Sequence, residues 1–152
     1  MNKILGSASV AIAAAAVCLT IGPAGQAAAD PELNGSYTLT KDDTQATTTG
    51  FPLSNPQVRT STWVITSCGA GCAHVAMPDM PSLPGASNGG DLHLNNGRWE
   101  MTQETTLMKC GAGPDITTIT SIDAATLQGT QASTNHCVGD NTITSPVTLT
   151  AA

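Results

Sequence analysis

Large aromatic side chains are nearly missing: two tryptophans, one tyrosine and one phenylalanine serve all 152 residues. A core made without them rests on aliphatic and threonine packing, and a barrel made this way is expected to be incompletely filled. Basic residues are also scarce, five Lys and Arg against eleven Asp and Glu. One of the five, Lys3, stands at the amino terminus, so the rest of the chain is strongly negative. Nucleic acid and anionic membrane surfaces are therefore poor partners. Beyond the first segment no stretch longer than about ten residues carries the 3.6-residue apolar period of a helix. His-Glu-x-x-His and Cys-x-x-Cys are both missing, and no motif announces a cofactor.

What is present begins with a leader. Lys3 precedes an uncharged run, Ile4 to Ile21, then a helix-stopping Gly22-Pro23-Ala24-Gly25 and the small residues Ala27-Ala28-Ala29. This is the layout of a cleavable signal peptide, with cleavage expected between Ala29 and Asp30. The apolar run falls just short of the roughly 20 residues that span a bilayer, which argues against a retained anchor. Cys18 lacks the Leu three residues before and the Gly or Ala just before that a lipidation site needs, since Ala15 and Val17 stand there. The expected organisation is a signal peptide over 1–29 and one secreted domain over 30–152, free of any membrane span and released or held at the cell wall.

Four cysteines remain after the leader, Cys68, Cys72, Cys110 and Cys137. An even number in an exported chain reads as disulfides. Of the three possible connectivities, the closeness of the first two favours Cys68 with Cys72 and Cys110 with Cys137.

Threonine occurs 22 times after the leader and suits strands through its branched Cβ. Alternation predicts strands over 35–40, 58–67, 73–77, 91–95, 98–102, 105–110, 115–122, 126–132 and 142–150. Residues 41–55 read as a long loop with little structure of its own, and 78–90 as a second loop rich in Pro and Gly. Asn96-Gly97 between alternating segments demands a two-residue type I′ hairpin. That turn opposes Asn95 to Arg98, Leu94 to Trp99, His93 to Glu100 and Leu92 to Met101, making one face apolar and the other polar. The fold class is all-β: an antiparallel meander of about eight strands closing into a small barrel, with a β-sandwich as the alternative, stapled by two disulfides. Closure is preferred because a chain with so few charges has little else to protect a sheet edge.

Candidate sites follow from chemistry. Tyr37, Trp63 and Trp99 are the expected walls of an apolar cavity. His74, Met77 and Met80 are soft donors within one short run, a set suited to copper. His93 faces Glu100 across the predicted hairpin as an ordinary cross-strand pair. The three-residue spacer of Cys68-Gly69-Ala70-Gly71-Cys72 departs from the redox Cys-x-x-Cys and fits a structural disulfide.

The run Thr62-Trp63-Val64-Ile65-Thr66-Ser67-Cys68, Cys72-Ala73, the Gly97-Arg98-Trp99 hairpin, two later cysteines and the Asp30-Pro31 start after Ala29 together resemble small secreted proteins of mycobacteria and related actinobacteria. That resemblance spans most of the chain after the leader and implies an exported domain of unassigned activity, with no functional residue to carry over. Three functions compete. The first is a secreted, non-enzymatic module binding a small apolar molecule or an extracellular protein partner. The second is an exported copper-binding protein, and the third is a secreted hydrolase.

Overall fold

The computed structural model describes residues 32–81 and 84–152, so the expected signal peptide and the Ala29–Asp30 cleavage step lie outside the described residues. Nine strands form one antiparallel sheet: β1 (Gly35–Asp42), β2 (Thr47–Thr48), β3 (Val58–Gly69), β4 (Cys72–Ala76), β5 (Gly89–Asn95), β6 (Arg98–Thr105), β7 (Ile116–Asp123), β8 (Gln128–Asn135) and β9 (Asn141–Ala151). The order is β1-β3-β4-β5-β6-β7-β8-β9, and β1 also pairs with β9, which closes an eight-stranded barrel. The two-residue β2 is added on the same edge of β9, opposite Thr144 and Ile143. The barrel expected from the sequence is thus the architecture observed, and the sandwich alternative is not.

The β5–β6 hairpin follows from its turn. Asn96 and Gly97 adopt positive φ (49° and 75°), and Asn95, Leu94 and His93 pair with Arg98, Trp99 and Glu100. Leu92, Trp99 and Met101 then point into the barrel and are buried, while Leu94 packs against them half-buried. In β3 the same period of two buries Trp63 and Ile65 and leaves Val64 exposed. Val75 of β4, Ile122 of β7 and Val147 and Leu149 of β9 complete the core. Each such aliphatic side chain contributes about 1.5–3 kcal/mol by leaving water. Gly129 of β8 is required by close approach, because a Cβ there would run into the Ser121 carbonyl of β7.

Two segments depart from the sequence reading. Residues 105–110 were expected to be a strand, but β6 ends at Thr105 and the chain turns away. The cause is the carboxylate of Asp115, which accepts hydrogen bonds from the backbone N–H groups of Met108, Lys109 and Cys110 and bends them around itself. Leu107 and Met108 are left exposed, since no interior position receives them. The second departure is 41–55, which is more ordered than a plain loop. Here β1 runs on to Asp42, a 3-10 turn follows over Asp43–Gln45, and β2 rejoins β9. The Asp42 side chain caps that turn by accepting from the Thr44 N–H.

Both disulfides pair as expected. Cys68–Cys72 closes the β3–β4 turn, where Gly69 and Gly71 take positive φ, and Cys110–Cys137 ties the loop after β6 to the turn after β8. Loop length separates their weights. On the chain-entropy relation the 27-residue separation stabilises by about 3.5 kcal/mol and the four-residue one by about 2 kcal/mol. Urea unfolding of the Cys110→Ser/Cys137→Ser and Cys68→Ser/Cys72→Ser double variants should show the first losing more stability than the second.

Candidate ligand cleft at the barrel mouth

The interior changes character along the barrel axis. Inward positions of β6 run Trp99, Met101, Gln103 and Thr105, and in register on β7 they run Ile122, Thr120, Thr118 and Ile116. On β8, Gly129, Gln131 and Ser133 oppose Ile122, Thr120 and Thr118, so that strand brings no large apolar side chain to the core. One half of the barrel is therefore filled by Trp99, Leu92, Ile122 and their neighbours, whereas the other half is lined by short polar groups. These groups satisfy one another: Gln131 Nε2 donates to Thr120 Oγ1 at 3.0 Å, and the Thr118 and Ser133 hydroxyls lie 3.0 Å apart.

At the polar end a cleft of about 360 Å³ opens, which falls within the size range of small-molecule sites. The indole of Trp63 and the side chains of Leu39 and Met77 give it an apolar side. Ser61, Gln103, Thr118 and Gln131 give it a polar side, and Met80 and Pro81 of the loop after β4 border it. Register explains how β1 and β3 build the wall, with Tyr37 opposite Trp63, Leu39 opposite Ser61 and Lys41 opposite Arg59. Moving outward, the facing pairs go from aromatic to aliphatic and hydroxyl to doubly cationic.

The two cations meet a buried carboxylate. Lys41 Nζ is 3.2 Å from Asp43 Oδ1 and Arg59 Nε is 3.5 Å from Asp43 Oδ2. Asp43 is held in place by Ser145 of β9, whose hydroxyl donates to Oδ1 at 2.7 Å, and by its own N–H, which donates to the Gln57 carbonyl. Its carboxylate is 5% exposed, against 21% for the Lys41 side chain and 60% for Arg59.

The residues singled out from the sequence fall in different places. Trp63 lines the cleft; its Nε1 is buried and without a hydrogen-bond partner among the described residues. Trp99 lies in the apolar half of the core, its Nε1 likewise unpartnered. Tyr37 is half-buried beside the core, its hydroxyl 3.5 Å from the Asn34 carbonyl. The soft-donor set is split by strand alternation: His74 faces outward, with Nδ1 2.7 Å from Asp91 Oδ1, while Met77 is buried inside and Met80 lies beyond the strand end. His93 and Glu100 are cross-strand neighbours on the outer face.

Two further clusters were not legible beforehand. Cys110 Sγ, Cys137 Sγ and an Asp115 oxygen lie within 4.8 Å of one another, but the sulfurs are bonded together and offer no thiolate to a metal. Thr117 Oγ1 lies 3.0 Å from His136 Nε2, and His136 Nδ1 lies 2.6 Å from Asp140 Oδ1. That is the order of a hydrolytic triad, yet the Asp140 side chain is 75% exposed, so water competes for a carboxylate that a working triad keeps buried. The signal for the polar half of the barrel was available in β8, whose sequence Gln-Gly-Thr-Gln-Ala-Ser-Thr-Asn lacks an apolar face. Lys41 and Arg59 gave no such signal, because their opposition depends on a strand register that joins residues 18 positions apart.

These features define a class: a small, closed, disulfide-stapled antiparallel barrel, open and polar at one end. Among solved structures the chain is similar to the monomer form of the M. tuberculosis PknI sensor domain, at 18% identity and a TM-score of 0.57, over 79% of this chain and 87% of that one. At that identity the likeness concerns the fold. Neither a protein-family model nor a curated protein matches the chain.

Among the described residues three carboxyls are held below the usual carboxylate range. For Asp115 the main cause is the Cys110 N–H, helped by the Lys109 and Met108 N–H groups and opposed by burial. For Asp123 it is the N–H and hydroxyl of Thr126, and for Asp42 the side chains of Thr44 and Gln45. A depressed folded value means stability that is fully present above the unfolded value of about 3.9 and is lost as pH falls through the folded one. Urea midpoints should therefore fall as pH drops below about 4, and Asp115→Asn should show a shallower acid fall than the parent chain.

Proposed function

We propose that the chain after the leader, residues 30–152, is an exported, non-enzymatic domain that binds a small molecule in the cleft at the barrel mouth. The observation that carries this reading is the interior itself. A barrel that only needed to be stable would fill both halves with apolar side chains, and here one half is polar, part-open and walled on one side by Trp63. Two disulfides suit an oxidising compartment outside the cytoplasm. Among the described residues no helix is long and apolar enough to cross a membrane. The structural neighbour is a sensor domain, which is in keeping with a binding role.

The neutral dye N-phenyl-1-naphthylamine tests the cleft without engaging charge. It should bind saturably, one per chain, with a rise in fluorescence. Ser61 is half-buried in the wall opposite Leu39, so Ser61→Phe fills the cleft. Binding should weaken by at least about tenfold while the far-ultraviolet dichroism stays that of a barrel, as expected when a bound body loses its volume. Equal binding by Ser61→Phe and the parent would remove the cleft as the site.

A further inference from the structure

We propose that the cleft selects a compact, single-chain amphiphile with one negative charge, its apolar body against Trp63 and Met77 and its anionic head against Arg59 and Lys41. This rests on the reading of the cleft as a binding site and adds the chemical class of its occupant.

The argument starts from register. Lys41 and Arg59 stand directly opposite each other on adjacent antiparallel strands, an arrangement that repels unless an anion compensates it. Both face the inside of the barrel, continuing the rows Leu39–Lys41 and Trp63–Ser61–Arg59, where alternation calls for apolar side chains. A local rule broken at an interior rim is what a functional site produces. Asp43 answers only part of the charge. Its single carboxylate is shared between both cations and the Ser145 hydroxyl, so the cluster keeps one net positive charge. That spot is set within a chain of formal charge −6, and two of the few basic residues have been spent on it.

Geometry supports the head-group assignment. Arg59 approaches Asp43 through Nε at 3.5 Å and is 60% exposed, which leaves the outer fork of its guanidinium for a pair of incoming oxygens. Further in, Trp63, Leu39 and Met77 line the cleft with apolar side chains. A volume of about 360 Å³ is near the lower end for small-molecule sites and suits one short chain better than a two-tailed lipid.

The experiment titrates the oxidised chain, residues 30–152, with decanoate, decan-1-ol and decyltrimethylammonium near neutral pH, read by calorimetry. The three probes share their apolar body and differ in head charge. Decanoate should bind at least about tenfold more tightly than decan-1-ol, the gain of a charge-assisted contact, with the cation weakest despite the negative chain. The Lys41→Met/Arg59→Met pair should bring decanoate to the decan-1-ol value and leave decan-1-ol unchanged. Arg59→Gln, at the more exposed of the two sites, should give an intermediate loss if the double variant fails to fold. Equal affinity of decanoate and decan-1-ol overturns the proposal, as does a preference that survives both substitutions. Either result would leave the cleft standing, because N-phenyl-1-naphthylamine binding reports on the cleft alone. Sedimentation with phosphatidylglycerol vesicles separates the two sources of such a head group. Protein left in the supernatant supports a free amphiphile, and cosedimentation that needs Lys41 and Arg59 overturns it.

Discussion

The pairing of β1 with β9 is the contact on which the rest of the molecule depends. Without it the sheet would have two open edges, in a chain with few charges to guard them. Closure brings the first and last strands together, so the barrel is complete only when the whole length of 35–151 has folded. The same edge of β9 also receives β2, and the step between β1 and β2 is the 3-10 turn at Asp43. Burial of Asp43 beneath Ser145 therefore serves closure first. The placement of Lys41 and Arg59 around it is a consequence, and closure and the charged rim are one feature.

The scarcity of large side chains sets the second constraint. Trp63 and Trp99, with Leu, Ile, Val and Met residues, fill only part of the space that eight strands enclose. The remainder is lined by threonine, serine and glutamine, which bond to one another between β7 and β8. Such a lining costs little as long as every group is paired, and it keeps the interior wettable. The disulfides then supply stability that a fuller core would otherwise provide.

Much of the scaffold was legible in the sequence because its signals are local. Asn96-Gly97 fixed a turn and a register together, and the spacing of Cys68 and Cys72 fixed a pairing. Residues 105–110 misled because alternation there is accidental. What governs them is a carboxylate five or more residues away, and periodicity does not see hydrogen bonds to Asp115. The lack of bulk points to a cavity walled by Tyr37, Trp63 and Trp99, and of these three Trp63 alone borders the cleft. The cationic rim was not foreseen, since Lys41 and Arg59 meet only through the β1–β3 register and sit where the sequence shows an unremarkable polar stretch. The copper set was legible as composition; in the fold His74 stands on the outer face of β4, and Met77 and Met80 follow the end of that strand.

The most direct test of the central claim, an exported barrel whose polar half is a binding site, is a native mass of the protein recovered from its own source. The account predicts a chain starting at Asp30, four hydrogens lighter than its reduced form through the two disulfides, plus one small molecule that leaves on denaturation. The same bare mass under native and denaturing conditions would contradict it.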